Sequence, residues 1–236
     1  MCGRYAASAN PDELVETYEI DEVTADGREA TRPRFNLAPT DEVPAIVERI
    51  RDGGTTRKLV GLHWGLVPSW SRDATGGARM INARVETVAE KPAYRKAFRR
   101  RRCVLPALGY YEWRSWEVDG KTVKQPWFLR PDGGGPLLMA GIYEFWKGPD
   151  GWLPTVSIIT TTATDDVGWV HDRMPMTVTD LDAWLDPGLE DPNAARKLLL
   201  PPLDLATVAV SRAVNNVRND GPQLVEAVSP EGRPAE

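Results

Sequence analysis

The segment Val43-Pro44-Ala45-Ile46-Val47-Glu48-Arg49-Ile50, the turn Asp52-Gly53-Gly54 and the segment Arg57-Lys58-Leu59-Val60-Gly61-Leu62-His63-Trp64 decide the fold class. Two runs rich in β-branched and aliphatic residues flank an Asp-Gly-Gly turn, the pattern of an antiparallel hairpin. Similar runs predict strands at Cys103–Leu108, Trp127–Arg130, Leu137–Phe145, Thr155–Thr161 and Thr207–Ser211, each bounded by Gly, Pro or Asp. Asp132-Gly133-Gly134-Gly135 is a second turn signal and predicts another hairpin. No βαβ alternation and no internal repeat accompany these runs. The class is therefore α+β, mostly antiparallel sheet with peripheral helices.

Helices are expected at the margins. Asn10-Pro11-Asp12-Glu13 is a helix start, with Leu14, Val15 and Tyr18 as its apolar face and an end before Asp21. Residues 24–33 read as a loop. Lys91–Arg102 reads as a helix, Thr179–Asp182 starts another that leads into Trp184 and Leu185, and Asp191–Leu200 is a third. A single domain over residues 1–228 is expected, with 229–236 as a disordered polar tail.

The 236 residues can bury one sizeable core. No apolar run is long enough to span a bilayer, and the N-terminus lacks the apolar stretch of a signal peptide, so a cytoplasmic protein is expected. The two cysteines, Cys2 and Cys103, form no CxxC pair, and the two histidines, His63 and His171, form no HExxH motif. Neither a metal nor a cofactor is expected. The formal net charge of -5 argues against bulk attraction to nucleic acid, but charge is unevenly spread. Lys91, Arg95, Lys96, Arg99, Arg100, Arg101 and Arg102 lie in one stretch without an acid, whereas Asp12–Glu29 is mostly acidic. The basic run reads either as a solvated helix face or as a phosphate contact.

Several short segments could carry chemistry. Cys2 follows the initiator methionine, so removal of Met1 would leave a free α-amine and a thiol on one residue. An amine with a pKa near 7.7–8.0 is partly neutral at pH 7 and attacks aldehydes, after which the thiol can close a five-membered thiazolidine. The alternative is a small residue at a frayed end. The fork of Arg4 suits a phosphate or a surface ion pair. Arg34-Phe35-Asn36-Leu37-Ala38-Pro39 holds Asn36 and Pro39 in an extended turn. Trp70, near Trp64, could stack on an unpaired base or pack in the core. Met80-Ile81-Asn82-Ala83-Arg84-Val85-Glu86-Thr87 offers an amide at Asn82 and a phosphate fork at Arg84, or an Arg84–Glu86 ion pair. Leu108-Gly109-Tyr110-Tyr111-Glu112-Trp113 sets one carboxylate among aromatics, where burial raises its pKa and fits it for proton transfer. In Val170-His171-Asp172-Arg173, the two charged residues could hold His171, either as a titrating group or as a structural one.

Taken together and in this order, these segments resemble the SOS response-associated peptidase family, the SRAP domain, from Cys2 to about Arg218. Met-Cys-Gly-Arg, Asn-Ala-Arg-Val-Glu-Thr and His-Asp-Arg carry most of the resemblance. It implies a single SRAP-like domain with a barrel-like core of twisted sheets. It also implies a monomer that acts on single-stranded DNA carrying abasic sites, in the cytoplasm at damaged nucleoid DNA. Cys2 resembles the family nucleophile, freed by autocatalytic loss of methionine and linked to the abasic sugar as a thiazolidine. Asn82 resembles the asparagine that holds amine and sugar, Glu112 the general acid/base, and His171 the histidine that assists ring opening. Arg4, Asn36, Pro39, Arg84 and Arg173 match positions near DNA or the active site. Trp70 and Leu108 match positions that wedge or stack bases. An abasic-site lyase activity is a further implication, because a Schiff base permits β-elimination. Two other readings stay open: a thiol peptidase acting on other proteins, and a single-stranded DNA-binding module without chemistry.

Overall fold

A computed structural model describes residues 2–51 and 53–230. In chain order the elements are β1 (Tyr5–Ala7), α1 (Pro11–Thr17), β2 (Glu22–Val23), α2 (Ala25–Ala30), β3 (Arg34–Leu37), β4 (Glu42–Arg51), β5 (Gly54–Trp64) and β6 (Asn82–Arg84). Then follow α3 (Arg95–Arg100), β7 (Arg102–Ala107), β8 (Gly109–Val118), β9 (Lys121–Pro131), β10 (Leu137–Gly148), β11 (Gly151–Thr162), α4 (Asp165–Gly168), β12 (Arg173–Pro175) and β13 (Thr177–Val178). α5 (Leu181–Leu185), α6 (Pro192–Lys197), β14 (Leu199–Leu200) and β15 (Leu205–Ala209) complete the chain. The tail expected to be disordered falls, for residues 231–236, outside the described residues.

The expected hairpin forms: β4 and β5 pair antiparallel from Glu42↔His63 to Arg51↔Gly54. β4 continues to β7, β7 to β10 and β10 to β11. β11 then pairs in parallel with β5 at Thr155↔His63 and Val156↔Trp64, closing a ring β5-β4-β7-β10-β11. Alternation along each strand sorts side chains onto two faces. Val43, Ala45 and Val47 of β4, Val60, Leu62 and Trp64 of β5, Cys103 and Leu105 of β7, Met139 and Tyr143 of β10, and Val156 and Ile158 of β11 share one core cluster. The intervening Ile46, Leu59, Val104, Ala140, Ile142 and Ile159 pack instead with Leu14, Phe98, Trp184, Leu185 and Ala195 of the peripheral helices.

A second sheet has five strands in the order β15-β9-β8-β1-β3. Its Tyr5, Leu37, Tyr110, Trp127 and Leu129 join the first cluster. Its opposite face buries Ala6, Tyr111 and Phe128 beneath Val210, Val214 and Leu224 of the C-terminal segment. The α+β class, the barrel core and the peripheral helices agree with the expectation from sequence.

Several local expectations are corrected. Asp132–Gly135 makes no hairpin, because it carries the chain from β9 in one sheet to β10 in the other. The hairpin turns lie at Asp119-Gly120, between Val118 and Lys121, and between Gly148 and Gly151. Residues 24–33 are not a loop: Thr24 caps α2 by accepting from the Gly27 amide. Gly27 looks like a turn residue, but it is there for closeness, since a Cβ on it would collide with the Leu59 carbonyl of β5. Lys91–Arg102 is not one helix. α3 covers Arg95–Arg100, and Arg102 already begins β7, where its partner is Ile142.

Candidate functional site

Cys2 enters the fold just before β1 and is fully buried in the cluster shared by both sheets. β1 pairs with β8 at Tyr5↔Tyr110, so Tyr110 and, two residues on, Glu112 face the same side as the Cys2 cluster. From the other sheet, β6 lies parallel to β11 with Asn82 opposite Ile158, a member of that cluster. The amide Nδ2 of Asn82 donates to the Cys2 carbonyl at 2.8 Å. The Asn82 carbonyl accepts from the Tyr94 hydroxyl at 3.3 Å. Asn82 therefore fastens the N-terminal residue to the barrel.

His171 arrives from a third direction, in the turn between α4 and β12. That turn is seated by Trp169, which stacks edge-on against Trp127 with centroids 4.8 Å apart. Trp127 is the register partner of Glu112 on β9, so the aromatic pair sets the histidine beside the carboxylate. His171 Nε2 lies 3.9 Å from Glu112 Oε2. Its Nδ1 accepts the Arg173 backbone N–H at 3.1 Å, which assigns the proton of the neutral ring to Nε2, the nitrogen that faces Glu112. Asp172 Oδ1, 2.9 Å from Nδ1, becomes an ion-pair partner only when the ring is protonated.

The electrostatics follow from burial. Glu112 is 3% exposed, and desolvation pushes its pKa up to about 7. Burial, with the Glu112 charge as a secondary cause, pushes the Cys2 thiol well above its ordinary range. Burial also lowers the pKa of His171, which keeps the ring neutral near pH 7. The site thus holds a neutral thiol, a neutral imidazole and a carboxyl group that titrates near neutrality. Among the described residues no cluster of three or more His, Cys, Asp or Glu could hold a metal ion. No described helix is long and apolar enough to cross a membrane.

The remaining expected residues divide by exposure. Arg84 is exposed on β6, two residues beyond Asn82. The Arg84–Glu86 pair does not form. Glu86 is bound at both oxygens by Arg173, at 2.7 and 3.1 Å, and Arg173 also donates to the Thr160 carbonyl. Trp70 is 69% exposed, whereas Trp64 is buried against Tyr5 and donates to the Ile81 carbonyl. Pro39 is half-buried in the turn between β3 and β4. Leu108 is half-buried against the Tyr111–Phe128 cluster, on the face away from Cys2.

Asn36, expected near DNA or the active site, lies in the core. It is 1% exposed, its Oδ1 accepts from Arg4, and its Nδ2 reaches the carbonyls of Val214, Asn216 and Asn219. Arg4 is half-buried and also donates to the Val214 carbonyl, so both residues anchor the C-terminal segment under β1. The basic run divides between interior and surface. Arg102 is 2% exposed and donates to the carbonyls of Trp184, Phe98, Arg99 and Asp186. Arg101 is paired with Glu144. The sequence reading missed Trp127, Trp169 and Tyr110; the density of aromatics on β8 and β9 was the available signal.

Fold and site together define an α+β protein whose second residue is gripped between a barrel and its companion sheet, with Glu112 and His171 alongside. The chain matches the family model of the SOS response associated peptidase (SRAP) over residues 1–217, and it belongs to that family. It is 37% identical over 232 residues to the abasic site processing protein YoqW of Bacillus subtilis, covering 96% of this chain and all of that one. It is 29% identical to the abasic site processing protein HMCES of Xenopus tropicalis, covering 97% of this chain and 78% of that one. A crystal structure of a Bacteroides thetaiotaomicron protein superposes with a TM-score of 0.80 at 25% identity, covering 97% of this chain and all of that one.

Proposed function

We propose that this protein captures abasic sites in single-stranded DNA, through a thiazolidine at Cys2 formed after autocatalytic removal of Met1. The observation that carries the reading is the convergence of Asn82, Glu112 and His171, from three separate segments, on the Cys2 cluster. The names of the relatives, abasic site processing proteins, point to the same substrate.

In the proposed sequence, the closed sugar first opens. Glu112 in its protonated form gives its proton to the ring oxygen from one carboxyl oxygen while the anomeric hydroxyl returns one to the other, and His171 Nε2–H hydrogen-bonds the ring oxygen as it departs. The α-amine of Cys2, neutral in part near pH 7, then adds to the C1′ aldehyde. Glu112, now protonated, delivers its proton to the departing oxygen, and water leaves to give the Schiff base. The thiol stays protonated in this buried setting, so it needs a base. The Schiff base so formed keeps its N–H, and Glu112, returned to the carboxylate, removes the thiol proton as sulfur bonds to C1′ and the C=N electron pair settles on nitrogen to close the ring. One water is released overall. A carboxyl group titrating near 7 suits both directions of transfer, and such catalysis contributes roughly 10²–10⁴-fold. Asn82 orients the residue that bears both nucleophiles. Arg84 and Trp70 are exposed for phosphate and base contacts, and Arg173, locked on Glu86, holds the turn of His171.

The linkage shields the lesion during the DNA damage response. Closure by the thiol also competes with β-elimination, so lyase activity is expected to rise when the amine is kept and the thiol removed. Peptidase chemistry is confined to the Met1–Cys2 bond in this reading.

The test is a denaturing gel of purified protein with single-stranded DNA carrying one abasic site, alongside Cys2→Ala. A heat-stable shifted band from the wild type alone is expected. Absence of the band from protein whose first residue is confirmed by mass as Cys2 would sink the proposal. Cleavage of unrelated proteins that requires Cys2 would favour the peptidase reading.

A further inference from the structure

Beyond the site, the most uneven charge on the molecule is the stretch between β6 and β7. Its positive residues do not share one role. Arg101 and Arg102 are consumed inside the fold, and Arg100 is paired with Glu190 at 2.8 Å. Lys91, Arg95, Lys96 and Arg99 are all exposed. Among the described residues, Arg95, Lys96 and Arg99 enter no ion pair. Ala97 and Phe98 bury the opposite side of α3, which fixes which way its cations point.

Arg95, Lys96, Arg99 and Arg100 line an open hollow of about 550 Å³ with Ala89, Glu90 and Glu190. Its four cations outnumber its two carboxylates, and Glu190 is already engaged by Arg100. On a chain of net charge -5, such a hollow would be expected to collect acids unless something else neutralises it. It is also tied to the site. Tyr94, just before α3, donates its hydroxyl to the carbonyl of Asn82, and exposed Arg84 lies two residues from Asn82. Arg84, Lys91 and the cations of α3 thus follow Asn82 on one segment, which also carries exposed Glu86 and Glu90. Within α3, the four-residue spacing of Arg95 and Arg99 sets these two cations about 5–6 Å apart at Cβ, one helical turn.

We propose that Lys91, Arg95, Lys96 and Arg99 form a docking surface for the phosphates of the DNA strand flanking the sugar captured at Cys2. The choice of partner rests on the abasic-DNA reading of Cys2. The cations supply affinity without sequence preference, because they meet phosphates and not base edges. They also lead the strand toward the site.

The experiment is equilibrium binding of an unmodified, fluorescently labelled single strand by anisotropy, across a salt series from about 50 to 200 mM. This needs no reaction at Cys2. Arg95→Ala/Lys96→Ala/Arg99→Ala is compared with the wild type, with Arg95→Lys/Arg99→Lys, and with Lys121→Ala/Arg130→Ala/Lys147→Ala, which removes equal charge elsewhere. Each phosphate contact on a single strand contributes about 0.7 to the slope of log K against log salt. The first triple variant is expected to lose about 2 from that slope and roughly ten-fold or more in affinity at the lowest salt. The lysine variant and the distant triple are expected to keep the wild-type slope. An unchanged slope in the first triple, or an equal loss in the distant one, overturns the docking surface and leaves Cys2 capture standing. A lost slope with no crosslink to abasic DNA would instead uphold the surface and sink the capture chemistry.

Discussion

Glu112 shows how one buried carboxyl group couples chemistry to stability. Its pKa of about 7 lies above the ordinary 4.5 because ionisation would strand a charge among aromatic side chains. A folded-state pKa raised above the unfolded one means that stability is fullest below about pH 4.5 and falls as pH rises through 7. Glu112→Gln removes the ionisation. It is expected to be more stable than the wild type at pH 8 by up to about 3 kcal/mol, an advantage that shrinks toward pH 5. Urea denaturation at the two pH values measures this, and a gap that widens on acidification contradicts it. The same variant is expected to slow crosslinking roughly 10²-fold or more and to lose the inflection near pH 7 from the rate profile. Cys2 and His171 resist such sequence-level reading, since a lone thiol or imidazole carries no sign of its burial. Only the Trp127–Trp169 contact reveals why His171 stands beside the acid.

Between elements, one buried amide gathers several carbonyls of the C-terminal segment. Asn36 of β3 gathers the carbonyls of Val214, Asn216 and Asn219 and accepts from Arg4 beside β1. Asn36→Ala removes the donor to the Asn216 and Asn219 carbonyls, while that of Val214 keeps Arg4, at a cost of about 1–3 kcal/mol. Amides of residues 212–219 are expected to exchange hydrogen faster while those of the β4–β5 hairpin stay protected. Uniform loss of protection would show instead that the whole domain, and not the strap, had yielded. The turn signature of the β4–β5 hairpin was legible because both strands lie on either side of a local Gly-rich turn. The Asp132–Gly135 turn misled because a turn signal reports a change of direction, not the partner of the strand that follows. α2 was hidden because Gly27 weakens helix propensity while enabling contact with β5.

For the molecule as a whole, the ring is closed by only a short parallel contact between β5 and β11, so its core packing carries much of the closure. Gly141 of β10 is one place where that packing leaves no room. A Cβ there would meet Leu105 Cδ1 at 2.6 Å and Cys103 Sγ at 2.9 Å. Gly141→Ala is expected to destabilise the fold by about 1–3 kcal/mol in chemical denaturation. Cys103→Ala in the same chain is expected to recover part of that loss, since the sulfur is one of the two obstacles. Strict additivity of the two substitutions would refute the shared contact.

By itself, the sequence determined the antiparallel character of the protein, its α+β class and the order of the segments that bear Cys2, Asn82, Glu112 and His171. Those features are written in local periodicity and in short motifs whose meaning survives without neighbours. Only the tertiary structure decided that β11 returns to β5, that Asn36 and Arg102 are interior residues, and that Arg95, Lys96 and Arg99 remain outside. The reason is that burial and pairing are properties of segments distant along the chain. The same arginine is a core donor or a surface cation according to which carbonyls, 82 residues away in the case of Trp184, fold back to meet it.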